Sequence, residues 1–174
     1  MKLAALSISP VGDELLDDPH ADAAAVASSL DDITVANRWF GGTAAALHGL
    51  GRVLAGVPAG TRVTLLDIGT GRGDLPAAAV RWGRRRGFDI VPLGLERSGV
   101  AAALAAAAGI PTVVADAAAP PIRDGSVDVV LVSQVAHHFA PDSVVRLAET
   151  CDRLARRGVV VADLRRSALA VAGF

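Results

Sequence analysis

Leu65-Leu66-Asp67-Ile68-Gly69-Thr70-Gly71-Arg72-Gly73-Asp74 decides how the rest of the chain is read: an apolar run meets an acid, then passes into glycines at alternate positions. Three glycines in five residues let the main chain take positive φ and leave no Cβ to hold a small molecule away. A helix expected from about Gly73 to Arg86 would offer its unpaired N–H groups to that ligand.

Downstream, short aliphatic runs alternate with helical segments of ten or more residues, the pattern of βαβ units. Strands are expected at 62–68, 90–95, 112–115, 127–133 and 158–163, and helices near 73–86, 98–108 and 141–157. The runs Val127 to Val132 and Val159 to Val161 suit parallel strands covered on both faces. Ser98 can cap one helix, Pro141 and Asp142 suit the first turn of another, and Val144, Leu147, Ala148, Cys151, Leu154 and Ala155 share a face. Upstream, an acidic start at Asp13 to Pro19 precedes Val26, Leu30, Ile33 and Asn37 at helical spacing. After Gly41-Gly42, Thr43 can cap a second helix carrying Leu47, Leu50, Leu54 and Val57. Residues 1–60 are thus read as amino-terminal cap helices and 61–174 as the ligand-binding core of one structural domain.

With 174 residues, about half of them apolar, the chain can bury one core. The 17 basic and 18 acidic residues nearly cancel without a basic face interleaved with aromatics, which argues against a nucleic-acid partner. Met1 to Pro10 lacks a signal-peptide cleavage pattern, and no segment approaches the ~20 apolar residues of a membrane helix. Cys151 stands alone, so no intrachain disulfide or cysteine metal cluster forms, and a reducing cytoplasm is expected. Metal-ligand spacing is not evident; Arg84-Arg85-Arg86 and Arg156-Arg157 read as solvated charge complementing helix dipoles, and His48 as structural.

In an open parallel sheet, ligands lie beyond the carboxyl ends of the strands. Asp67, Glu96, Asp116 and Asp163 close four of the expected strands, so four carboxylates could surround one crevice. Such a rim repels a dinucleotide pyrophosphate and attracts a ligand bearing an ammonium and a sulfonium, favouring S-adenosyl-L-methionine over NAD. Asp74, where the dinucleotide pattern requires glycine or alanine, agrees. Glu96 lies 23 positions beyond Gly73, near the ~20-residue spacing of a ribose-binding acid.

Taken in order, the loop Asp67 to Gly73, Leu93-Gly94-Leu95-Glu96, Val114-Ala115-Asp116-Ala117, Asp124 to Val130 and His137-His138-Phe139 resemble the class I S-adenosylmethionine-dependent methyltransferases over roughly Arg62 to Arg166. The resemblance implies a Rossmann-like, doubly wound α/β fold with strand order 3-2-1-4-5 and methyl transfer to a small-molecule acceptor, most like enzymes of quinone and polyketide pathways. It implies that Gly69, Thr70 and Gly71 approach the methionine part, with Asp67 near its amino group, and that Gly73 and Arg97 belong to the cofactor-binding set. Glu96 would hold both ribose hydroxyls. Asp116 and Ala117 would meet adenine, while Ser133 and Gln134 present the end of the fourth strand. Asn37, Arg38 and Trp39 resemble part of a cap over the cofactor, with plain packing as the other reading.

His137 and His138 follow the fourth strand where an acceptor would meet the methyl group, and either could serve as a general base or simply pack. The resemblance also implies two further antiparallel strands, for which the eleven residues after Asp163 leave no room. A strand at 158–163 would then be an exposed aliphatic edge, expected to be covered by a missing carboxy-terminal segment or by a second copy in a homodimer. A non-catalytic cofactor-binding subunit and, less favoured, a nicotinamide-dependent oxidoreductase are the alternative functions.

Overall fold

The alternating pattern resolves into one wholly parallel sheet in a computed structural model that describes residues 21–163. Its strands are β1 (Arg62–Ile68), β2 (Asp89–Glu96), β3 (Thr112–Val114), β4 (Val127–Ser133) and β5 (Ala155–Ala162), in the order β3-β2-β1-β4-β5. The helices are α1 (Ala23–Trp39), α2 (Gly42–Val53), α3 (Asp74–Arg85), α4 (Gly99–Ala107) and α5 (Pro141–Leu154). The expected acidic start at Asp13 to Pro19 and anything beyond Asp163 lie outside the described residues.

Period-two alternation sends successive β1 side chains to opposite faces. Val63 and Leu65 join Val129, Leu131 and Ile90 against Leu50 and Leu54 of the α2 segment and Leu75, Ala79 and Trp82 of α3. Leu66 and Ile68 join Val130, Val132 and Leu95 against Leu147, Cys151 and Leu154 around α5. Both faces of the central strands are covered, which explains runs that are aliphatic throughout. Val26 and Leu30 of α1 dock on Ala101 of α4, placing α1 beside the carboxyl end of the sheet.

Three local expectations change. Gly41, with φ 85°, supplies the turn into α2, so Thr43 is inside the helix and caps nothing. On α5 the buried positions are Leu147, Thr150, Cys151 and Leu154; Ala148 is exposed because 3.6-residue spacing turns it away from that stripe. Burial also pushes the Cys151 thiol up to about 11, consistent with an inert packing residue.

The third change is larger. The helix expected to reach residue 157 stops at Leu154, and β5 begins at Ala155 with no intervening loop. Val127 pairs with Ala155 but Val129 with Gly158, so Arg156 and Arg157 together oppose the single residue Asp128, the two-against-one count of a bulge. Both arginines reach that buried carboxylate, Arg156 Nη2 at 3.2 Å and Arg157 Nε at 3.1 Å. Asp128 also accepts the Thr64 N–H and hydroxyl, each at 2.9 Å. Arg156 and Arg157 are therefore strand residues neutralising a buried acid, and do not complement a helix dipole. Arg86 likewise lies over the Trp82 ring, 4.9 Å from its centroid, instead of being simply solvated.

Burial would raise the Asp128 carboxyl, but the Thr64 hydrogen bonds and the two guanidinium groups outweigh it and hold the group below its ordinary value. Its stabilisation is therefore present above the unfolded carboxyl's range and lost as pH falls through the lowered folded value. Asp128→Ala is expected to cost about 2 kcal/mol in urea unfolding near neutral pH. The deficit relative to wild type should shrink in acid.

Candidate functional site

Strand order reverses between β1 and β4, and there a cleft of about 640 Å³ opens at the carboxyl ends of the strands, within the ~300–1,000 Å³ of small-molecule sites. Asp67, Gly69, Thr70, Gly71, Glu96, Arg97, Asp116, Ala117, Ser133, Gln134, His137 and His138 all line it. Gly73, Arg38 and Trp39 do not. Helical spacing presents Leu30, Ile33, Thr34 and Asn37 of α1 to the cleft, leaving Trp39 78% exposed.

The glycine turn is built from β1 and β2 together. Gly69 and Thr70 N–H groups donate to the Leu95 carbonyl, and Gly73 N–H closes the turn on Thr70 O. Gly69, Gly71 and Gly73 have φ of 69°, 53° and 78°, where L side chains are strained. The space their missing Cβ atoms leave is taken mainly by protein: a Cβ would lie 2.4 Å from Val135 Cγ2 at Gly69 and 2.7 Å from Ile110 Cγ1 at Gly73. At Gly69 and Gly73 the missing Cβ atoms thus admit neighbouring side chains and fix the turn, while Gly69 and Gly71 themselves line the cleft. Gly94 completes this packing, since a Cβ there would meet Thr70 Cγ2 at 2.6 Å.

Carboxylates then organise the turn. Asp67 is 2% exposed and accepts the Thr70 hydroxyl at 2.9 Å. Glu96 Oε2 accepts the Gly71 N–H at 3.0 Å, while its Oε1 accepts the N–H groups of Arg97 and Ser98. Three backbone donors occupy three of about four acceptor positions of a carboxylate, so holding both ribose hydroxyls would require one donor to be released. Asp116 spends Oδ1 on the Ala118 N–H, leaving Oδ2 as the other acceptor atom of that carboxylate. Among the four expected strand-end acids, Asp163 alone does not line the cleft; it holds His137, accepting the backbone N–H at 3.1 Å and meeting ring Nδ1 at 2.7 Å. The His137 and His138 rings lie 4.2 Å apart.

Two features escaped the sequence reading. Arg72 ties the glycine turn to α1 through Asp31 at 2.7 Å and the Ala27 carbonyl at 3.3 Å. Gln134, whose φ of 55° makes it the non-glycine residue with positive φ among those described, donates its side-chain amide to Asn37 Oδ1. Gly42 packs against that contact, where a Cβ would lie 2.8 Å from Asn37 Oδ1. The α1–α2 junction is thereby seated on the end of β4.

Burial pushes Asp67 from its ordinary 3.8 up to about 7, with Asp74 and Glu96 adding to the rise and the Thr70 hydroxyl opposing it. Asp74, in the first turn of α3, is also raised by burial, against hydrogen bonds from its own and the Leu75 N–H, the Thr34 hydroxyl and the charge of Arg72. A raised carboxyl means that the folded protein binds more protons than the unfolded chain between about pH 4 and about pH 7, so stability falls as pH rises through that window. Asp67→Asn is expected to raise the melting temperature relative to wild type at about pH 8. The gain should fade towards about pH 4 in a thermal-denaturation series.

A family model described as a methyltransferase domain matches residues 66–162. No curated protein matches the sequence. A solved structure from Methanococcus maripaludis, described as an S-adenosyl-L-methionine-dependent methyltransferase, is similar at 18% identity with a TM-score of 0.54, over 85% of this chain and 63% of that one. A second, from Anabaena variabilis and described as a methyltransferase from an antibiotic biosynthesis pathway, is 23% identical with a TM-score of 0.50, over 66% and 43% of the two chains. A third, from Pyrococcus horikoshii, is 18% identical with a TM-score of 0.50, over 63% and 50%. At these identities the likeness shows the fold. The chain spans about half the length of the solved structures first in similarity.

Proposed function

Because the chain belongs to the methyltransferase domain family, we propose that it transfers the methyl group of S-adenosyl-L-methionine to oxygen or carbon of a small-molecule acceptor. The observation that carries this reading is Asp67, a buried carboxyl pushed up to about 7 beside the glycine turn. Such a group gains most from a fixed cation, because a nearby positive charge restores the ionisation that burial opposes. The methionine ammonium supplies that charge.

The donor set fits the rest of the group. Glu96 keeps about one acceptor position for a ribose hydroxyl and gains a second by releasing one backbone donor, Asp116 Oδ2 can accept from the adenine amino group, and Ala117 follows with its backbone N–H. Gly69, Thr70 and Gly71 would border the methionine part, with Ser133 and Gln134 opposite on β4. When bound, the cofactor supplies an electrophilic methyl on a sulfonium, open to in-line displacement. The chain's own part is to orient, to exclude water and to place acceptor and methyl in line, a contribution that alone lowers barriers substantially. Of the two expected cap helices, α1 roofs the cleft with Leu30, Ile33 and Asn37, giving the acceptor a partly apolar chamber, while α2 packs into the core against β1 and β4. That chamber and the His137-His138-Phe139 turn support an acceptor of the quinone or polyketide kind. The lone cysteine supports a cytoplasmic setting.

Calorimetric titration with S-adenosyl-L-methionine tests the reading. Affinity should rise as pH climbs from about 5 to about 7, since below about pH 7 Asp67 must shed a proton when the ammonium arrives. Glu96→Ala should weaken binding by about ten- to a hundredfold, the worth of charge-assisted hydrogen bonds. Unchanged binding in that variant removes the ribose role of Glu96, and binding of NADH in preference overturns the reading as a whole.

A further inference from the structure

Strand order arranges the site as a line. Asp116 and Glu96 stand beyond β3 and β2, Asp67 and the glycine turn at β1, Gln134 at β4, and Asp163 just past β5. Neighbouring strands are about 4.8 Å apart, so β5 lies some three spacings, about 14 Å, from β2. With the nucleoside at β2 and β3 and the methionine part between β1 and β4, the acceptor is left the β4–β5 end. His137 lines the cleft there, and Asp163 grips it twice, at the backbone N–H and at ring Nδ1.

A carboxylate on Nδ1 fixes the proton on that nitrogen and leaves Nε2 as the acceptor. From this geometry we infer that His137 is the proton acceptor of the reaction and Asp163 its positioning residue, and that the acceptor substrate is protic, bearing a hydroxyl or acidic C–H at the atom methylated. The inference rests on the methyl-transfer reading. In the step, the substrate's O–H or C–H proton passes to Nε2 of His137 and its freed electron pair forms the new bond to the methyl carbon. The carbon–sulfur bond breaks with its pair going to sulfur, leaving a neutral thioether, and the imidazolium later releases its proton to solvent. Asp163 from the end of β5 and His138 in the same turn contact His137, and the charged groups lining the same cleft include Arg146 of α5 and Asp67 of β1, with uncharged Asn37 from α1.

Two measurements test this. Nitrogen-15 NMR of the imidazoles in the full chain should show the neutral form of His137 with a protonated Nδ1 and a bare Nε2. Asp163→Asn, which can still accept the His137 backbone N–H but can also donate to Nδ1, should turn that tautomer over or mix it. A purely structural Asp163 would leave the nitrogen signals unmoved, and a bare Nδ1 in the wild type overturns the assignment. In parallel, release of S-adenosylhomocysteine is followed with catechol, phenol and acetylacetone as protic probes and pyridine as a nucleophile with no proton to lose. His137→Gln should lower kcat on a protic probe about a hundredfold, and Asp163→Asn about tenfold, while KM and S-adenosyl-L-methionine affinity stay within about twofold. Equal rates in both variants, turnover of pyridine alone, or no turnover of any protic probe with the methyl donor bound overturns the inference. Failure of the wild type to bind the methyl donor at all instead overturns the methyl-transfer reading beneath it.

Discussion

The structure depends on a carboxyl group buried at the end of its central strand. Asp67 sits where β1 passes into the glycine turn, and among the described residues its side-chain hydrogen bond comes from Thr70, three residues on. A buried acid with so little compensation is costly, and a sequence selected for stability alone would place a valine there. Around it, Gly94 makes room for Thr70, the Leu95 carbonyl receives the turn, and Glu96 clamps Gly71. The surroundings of the strained turn are thus determined by strand β2, which locates the turn against the neighbour that also supplies the next carboxylate.

Burial at the other wall has a similar logic. Arg72 leaves the turn to meet Asp31 and the Ala27 carbonyl, and Gln134 leaves β4 to meet Asn37. The roof helix is therefore pinned from both sides of the strand-order reversal by polar contacts, over a modest apolar seat of Val26, Leu30 and Ala101. A helix held this way can be displaced without exposing a large core, which would suit the proposed cap over a bound ligand.

Legibility in the sequence followed the range of the forces involved. β1 and β4 were bounded correctly because their aliphatic runs stop at local punctuation, glycine turns and a change of polarity that need no distant partner. Ser98 and Pro141 announced helix starts for the same reason. The α5–β5 boundary was missed because arginines suit a helix locally, whereas a buried acid 28 and 29 residues away decides their place. Asp74 was visible only as a departure from a dinucleotide pattern; its burial against Thr34 depends on how α1 docks. The carboxylates and histidines of the cleft were named from strand ends, but the pairing of Asp163 with His137 spans 26 positions and left no local mark. Arg38 and Trp39 were drawn to the site by proximity in sequence to Asn37, and helical rotation carries them off it.

The two-against-one pairing at Asp128 reaches further than its own ion pairs. An additional residue inserted at the start of a strand sets the phase of everything after it, deciding which side chains face inward and which residue arrives at the far tip. Six positions, about 20 Å of extended chain, separate Arg157 from Asp163 at the cleft end. Pairing Arg156 and Arg157 one for one with β4 would instead set Gly158 opposite Val130, slip the rest of β5 by one residue and carry Asp163 past its place beside His137. The arginines and their acid, at the opposite pole of the sheet, thus act as the counting device that delivers a carboxylate to the histidine.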